Sequence, residues 1–189
     1  MDEKGIHKVL KIFGSIFIFV SIIELISIVL LWNSTLTLDG NQISFQYLIL
    51  RSKILPSYAK FLFLFLVISI CFFIIVGILH WKMISKIDLN DDINSKKVFL
   101  FAVLILILSY IKMGYIAFLG SIMLKIGYPI TLQSAIYDDS ITPFYVQVIW
   151  NFFISVVCCY LTIGIIEGGI GLKWATIVRD RGIEEKNNQ

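Results

Sequence analysis

Charge is what this chain has least of. Asp, Glu, Lys and Arg make up 15% of its 189 residues, against about 25% in an ordinary soluble domain. The net charge is only +3, which excludes a basic nucleic-acid binder. Its three cysteines include no Cys-x-x-Cys pair, which excludes a disulfide scaffold and argues against a disulfide oxidoreductase. Phosphate-binding glycine loops, catalytic triads and paired-carboxylate motifs are also missing, so the sequence offers no catalytic residues and an enzyme is not expected. The two histidines, His7 and His80, have no Cys or carboxylate companions in sequence. No metal site and no cofactor are expected from them. Apolar residues, by contrast, make up 58% of the chain, with a mean hydropathy of +0.89. A single domain of this length has too small a core to hide that much apolar surface from water, and a disordered chain is excluded for the same reason.

Four apolar runs hold the excess: Ile12 to Trp32, Phe61 to Trp81, Val98 to Leu119 and Phe144 to Ile166. About 20 residues of helix cross the roughly 30 Å hydrocarbon layer, so each run fits one span. Lipid offers the backbone no hydrogen-bond partners, so the runs are expected to be helices. They lack the alternation of a membrane barrel. The first run follows Lys4, Lys8 and Lys11 but ends Leu30-Leu31-Trp32, without a small-x-small cleavage site. It reads as a retained anchor rather than a signal peptide.

Eleven of the sixteen Lys and Arg residues fall in the N-terminus, the loop after the second run and the tail. The other two loops hold four, Arg51, Lys53, Lys60 and Lys125. The positive-inside rule therefore places both termini in the cytoplasm. Trp32, Trp81 and Trp174 stand near span ends and Trp150 one to two turns inside the fourth span, as interfacial aromatics do. The expected fold is all-α, an integral membrane up-down four-helix bundle. Residues 1–11 form a cytoplasmic N-terminus, 12–170 the membrane domain and 171–189 a cytoplasmic tail.

The loops add detail. Thr35 to Phe45 alternates apolar and polar residues around Asp39-Gly40, which predicts a small β-hairpin in the first outer loop. An isolated hairpin needs support, so it is read as folded over the helix ends rather than as a docking surface. In the second outer loop Lys125-Ile126-Gly127-Tyr128 echoes Lys112-Met113-Gly114-Tyr115, which is read as chance. Asp88, Asn90, Asp92 and Asn94 have the oxygen spacing that opens a calcium loop, but Ile93 and Phe99 replace its glycine and glutamate. The segment reads as a solvated connector, with Asn94 or Ser95 capping the third helix.

The candidate site residues are the polar groups inside the membrane. Glu24 and Lys112 are the two formal charges within the spans, and a charge there costs at least about 2.5 kcal/mol. Each stands fourteen residues in from its cytoplasmic end, so the two reach the same depth and could face each other as an ion pair. They read either as a relay or partner-binding charge, or as a structural pair with Lys112 free to snorkel. Gln147, Asn151, Ser155, Cys158 and Thr162 share one face of the fourth span. They read as a hydrogen-bonded seam between helices in preference to a polar pathway. Glu167, at the cytoplasmic edge of that span, is expected to be solvated.

Two short segments carry a resemblance. Ser95-Lys96-Lys97-Val98 enters the third span, and Gly169-Ile170-Gly171-Leu172 follows the fourth. In this layout the chain resembles a family of small four-span bacterial membrane proteins described only as a domain of unknown function. The resemblance implies a bacterial inner-membrane location and no established activity. The function expected is that of a non-enzymatic accessory, regulatory or immunity-type protein. It would act by binding another membrane component or by self-association, with the lipid bilayer as its constant partner and no nucleic acid. The alternative is a small-solute or ion transport subunit, or a homo-oligomeric channel, working through Glu24 and Lys112.

Overall fold

The computed structural model describes residues 3–51, 53–84, 92–127 and 129–187. Four long helices dominate: α1 (Glu3–Trp32), α3 (Ala59–Ile84), α4 (Asp92–Gly120) and α6 (Phe144–Asn187). Between α1 and α3 lie strands β1 (Thr35–Leu38) and β2 (Asn41–Ser44) and the short helix α2 (Phe45–Leu50). Between α4 and α6 lie β3 (Met123–Lys125), β4 (Pro129–Thr131) and α5 (Leu132–Ile136). Each long helix contains a stretch long and apolar enough to cross a membrane, over Lys8–Trp32, Ala59–Met83, Ser95–Gly120 and Phe144–Arg179. These stretches contain the four runs read from the sequence. The fourth extends furthest beyond its run, because α6 continues unbroken through the charged tail.

The first hairpin forms where the sequence placed it. Leu38 faces Asn41 across a two-residue turn whose Asp39 and Gly40 have φ of 51° and 76°, as a type I′ turn requires. Gly40→Val is therefore expected to cost roughly 1 kcal/mol through backbone strain, read as a lower thermal midpoint. A Cβ at Gly40 would meet no heavy atom within 4 Å. The second hairpin carries no comparable turn dipeptide and was not anticipated. Its strand β3 uses Lys125, while Lys112 to Tyr115 is helical, so the two Lys-x-Gly-Tyr segments are unrelated in structure. Asp138, after α5, accepts hydrogen bonds from the Ser140 backbone N–H (2.9 Å) and hydroxyl. These hold its carboxyl below the ordinary carboxylate range. The connector residues 85–91 and the side chains of Asp92 and Asn94 lie outside the described residues. Helix α4 is already formed at Asp92, so Asn94 and Ser95 sit inside its first turn and do not cap it.

The element order repeats: long helix, hairpin, one-turn helix, long helix. Residues of α4 stand 88 positions after their α1 equivalents. The second hairpin is one residue shorter, so beyond it the offset is 87. In that register Ser44 and Thr131 are equivalent N-caps, each accepting from the backbone N–H three residues on. Pro56 matches Pro143, Tyr58 matches Tyr145, Cys71 matches Cys158 and Gly77 matches Gly164. Burial follows the same register, with Leu10, Phe17, Ser21 and Leu31 repeated as Val98, Ile105, Ser109 and Leu119.

The chain divides into two compact units, one of residues 20–72 and 111–157, the other of 1–19, 73–110 and 158–189. In the first unit, two hydrogen bonds are reciprocal. Thr37 N–H donates to the Ile141 carbonyl, and Lys125 N–H donates to the Ile54 carbonyl, both at 2.8 Å. Each hairpin is thus anchored to the loop of the other repeat, through equivalent atoms. Such reciprocity is the signature of a two-fold relation, here realised inside one chain. Leu36 and Leu38 of the first hairpin are buried, so that hairpin leans on the rest of its unit. In the second unit, Phe73 stacks on its equivalent Tyr160 with ring centroids 4.2 Å apart, and Phe17 lies against both. Trp174 is buried there with Ile6, Leu10 and Val98. Trp150, in the first unit, is also buried, filling the position equivalent to Phe63. Neither tryptophan presents the exposed ring expected of an interfacial aromatic.

Candidate functional site

A residue near a two-fold relation meets its own equivalent, and in this chain the equivalents that meet carry unlike polar groups. Glu24 and Lys112 occupy matching positions of α1 and α4, each eight residues before the helix end. Both are fully buried, and the Lys112 ammonium donates a hydrogen bond to Glu24 Oε1. The spacing arithmetic that put them at one depth is thus matched by direct contact. A buried carboxylate accepts only from a donor that reaches it, and the four-carbon lysine stem spans the interhelical gap. The lysine does not snorkel.

In the other unit, His80 of α3 meets Glu167 of α6, its equivalent at offset 87. His80 Nδ1 lies 3.5 Å from Glu167 Oε1, and both side chains are fully enclosed. His80 Nε2 donates to the Leu10 carbonyl at 3.1 Å, since a carbonyl can only accept. The imidazole lies edge-on to Phe101, ring centroids 5.5 Å apart, and near Phe17. Neither oxygen of Glu167 makes a hydrogen bond among the described residues. Glu167 was expected to be solvated at the membrane edge. It is instead sealed, because α6 runs on past it to Trp174, which is also buried. The sequence does not single out His80, because no carboxylate stands near it along the chain. The signal that finds it is the 87-residue register, which pairs it with Glu167.

The polar face of α6 is not interior. Asn151, Ser155, Cys158 and Thr162 are exposed and Gln147 is half-buried. Their hydrogen bonds stay within α6 or reach the loop that precedes it. Gln147 donates to Asp139 at 2.7 Å, the Tyr137 hydroxyl donates to Asn151, and Ser155 and Thr162 bond back to the Asn151 and Cys158 carbonyls. The expected seam between this chain's own helices is therefore absent among the described residues, and the face does not join Glu24. The reason is rotational. Positions 146, 150, 153, 157 and 160 take the buried side of α6, leaving the polar positions on the opposite side.

Grooves on the surface lead elsewhere. One of about 410 Å3 is apolar and lined by Trp32, Ile49, Phe61 and Leu64 among others. Another of about 520 Å3 runs past Lys96, Thr176 and Arg179. Neither is lined by Glu24, Lys112, His80 or Glu167. Among the described residues, no three His, Cys, Asp or Glu side chains gather as metal ligands. Comparison with family models, with curated proteins and with solved structures finds no match, so the functional reading rests on the chain's own geometry.

Proposed function

We propose that this chain is a bacterial inner-membrane protein, an up-down four-helix bundle with both termini cytoplasmic. In this reading it acts as a non-enzymatic accessory, regulatory or immunity-type partner of another membrane component. The observation that supports this is the outward polar stripe of α6. Glu24 and Lys112, the formal charges inside the apolar runs, and Glu167, just past the fourth, are buried against partners from the same chain, yet Asn151, Ser155, Cys158 and Thr162 face outward from an apolar helix. Small and polar side chains let helices approach closely in lipid and supply hydrogen bonds across the contact, each worth about 1 kcal/mol or less. A stripe of them that bonds only within α6 and to the loop before it, and faces outward, suits another membrane helix.

The test is native mass spectrometry of the full chain, purified from its host in nanodiscs. A stoichiometric partner is expected with the natural sequence. Ser155→Leu with Thr162→Leu should reduce partner recovery about tenfold, roughly 1.4 kcal/mol of association, without altering the melting temperature. Equal recovery would remove the stripe from the contact. The transport reading draws on the Glu24–Lys112 pair alone. It ends if Glu24→Gln with Lys112→Met leaves both solute flux and folding unchanged.

A further inference from the structure

The tautomer of His80 has a consequence that reaches beyond membrane association. Its Nε2 carries a proton, fixed by the hydrogen bond to the Leu10 carbonyl. In a neutral ring Nδ1 is then a bare lone pair, and it points at Glu167 Oε1 from 3.5 Å. An ionised Glu167 would set lone pair against lone pair in a fully enclosed site, with neither carboxylate oxygen otherwise hydrogen-bonded among the described residues. The groups around the ring cannot relieve this. From α1 come the Leu10 carbonyl and Phe17, from α4 comes Phe101, and from α6 comes Glu167 itself. Only Glu167 among these is titratable. One proton resolves the conflict, held either on Nδ1 facing a carboxylate or on Oε1 facing a neutral ring. The two forms have the same composition, so the site as a whole binds a single proton.

We propose that His80 and Glu167 form a one-proton binding site where the two repeats of the chain meet. The buried Glu24–Lys112 pair at the other equivalent position is a carboxylate facing its own ammonium and needs no such guest. The repeats therefore hold one permanent ion pair and one exchangeable proton. When the proton leaves, a buried carboxylate faces a lone pair, and the α3–α6 contact at this level loosens. Proton occupancy would in this way bias the packing of the α6 extension, which carries Trp174 on its buried side.

The chain has only two histidines, so the site can be read by NMR. Full-length protein bearing His7→Gln and nitrogen-15-labelled histidine is placed in nanodiscs and titrated. The expected spectrum shows Nε2 protonated at every pH and Nδ1 passing through one transition. Glu167→Gln, whose neutral amide can donate to Nδ1, should abolish that transition while Nε2 stays protonated. Infrared spectra across the same range tell where the proton sits: a carboxyl-protonation signal lost in Glu167→Gln places it on Oε1, and a carboxylate unchanged through the transition places it on Nδ1. An unprotonated Nε2 in the wild-type ring would overturn the proposal without any variant at the site. So would an Nδ1 transition that Glu167→Gln leaves unmoved.

Discussion

Lys112→Met lowers the stability of this protein by about 3–5 kcal/mol, because it leaves Glu24 buried and ionised with its ammonium partner gone. The double variant Glu24→Gln, Lys112→Met recovers most of that loss. Uncharged side chains of similar size fill the same space, and replacing a whole buried pair by apolar groups is often neutral or stabilising. The sign pattern is the point of the experiment. A large single-variant cost with a small double-variant cost identifies a coupled pair that ties α1 to α4. Thermal unfolding in nanodiscs, monitored by circular dichroism, measures it. If Lys112→Met melts with the wild type, the lysine head reaches the membrane surface and the pair is not formed.

Gly77→Val and Gly164→Val are each expected to cost about 1–3 kcal/mol by overpacking. A Cβ at Gly77 would come within 2.8 Å of Ile18 Cγ1 and 3.0 Å of Phe17 Cβ. At Gly164 it would lie 2.9 Å from two side-chain atoms of Leu106. Both glycines therefore mark close helix approaches, α3 on α1 and α6 on α4, in the equivalent place of each repeat. Small residues permit such approaches in lipid, where packing rather than water drives association. Gly114 is the control: a Cβ there meets nothing within 4 Å, so Gly114→Ala should leave the midpoint unchanged or slightly raised. Equal behaviour of all three variants would show that the close approaches do not form.

The different fates of these residues follow from what a linear pattern can encode. Span positions were readable because a membrane imposes length and apolarity on contiguous residues, and both are local properties. The first hairpin was readable because Asp39-Gly40 supplies the positive φ that its turn demands. The second was not, since its longer turn needs no signature dipeptide. Glu24 and Lys112 stood out because charge is rare in such runs, and equal depth suggested their contact. His80 and Glu167 lie near span ends, where charge is ordinary, so burial had to be seen to be known. The polar stripe of α6 showed its common face in the sequence, but periodicity gives only the angle between residues. Which way that face turns depends on packing against α1, α3 and α4.

The sequence by itself determined four apolar helices, their approximate limits, the first turn and the matching depth of two opposite charges. Each of these follows from interactions between neighbours in the chain or from the bilayer as a uniform solvent. Tertiary structure alone decided that the two halves repeat, that each hairpin is anchored to the other half's loop, and that equivalent positions meet as Glu24 with Lys112, Phe73 with Tyr160, and His80 with Glu167. An apolar alphabet of few residue types hides a repeat, since chance matches are frequent and the one-residue difference between the hairpins breaks the register. Three-dimensional contact restores it, because the reciprocal hydrogen bonds and the buried opposite charges form only when equivalent positions are brought together.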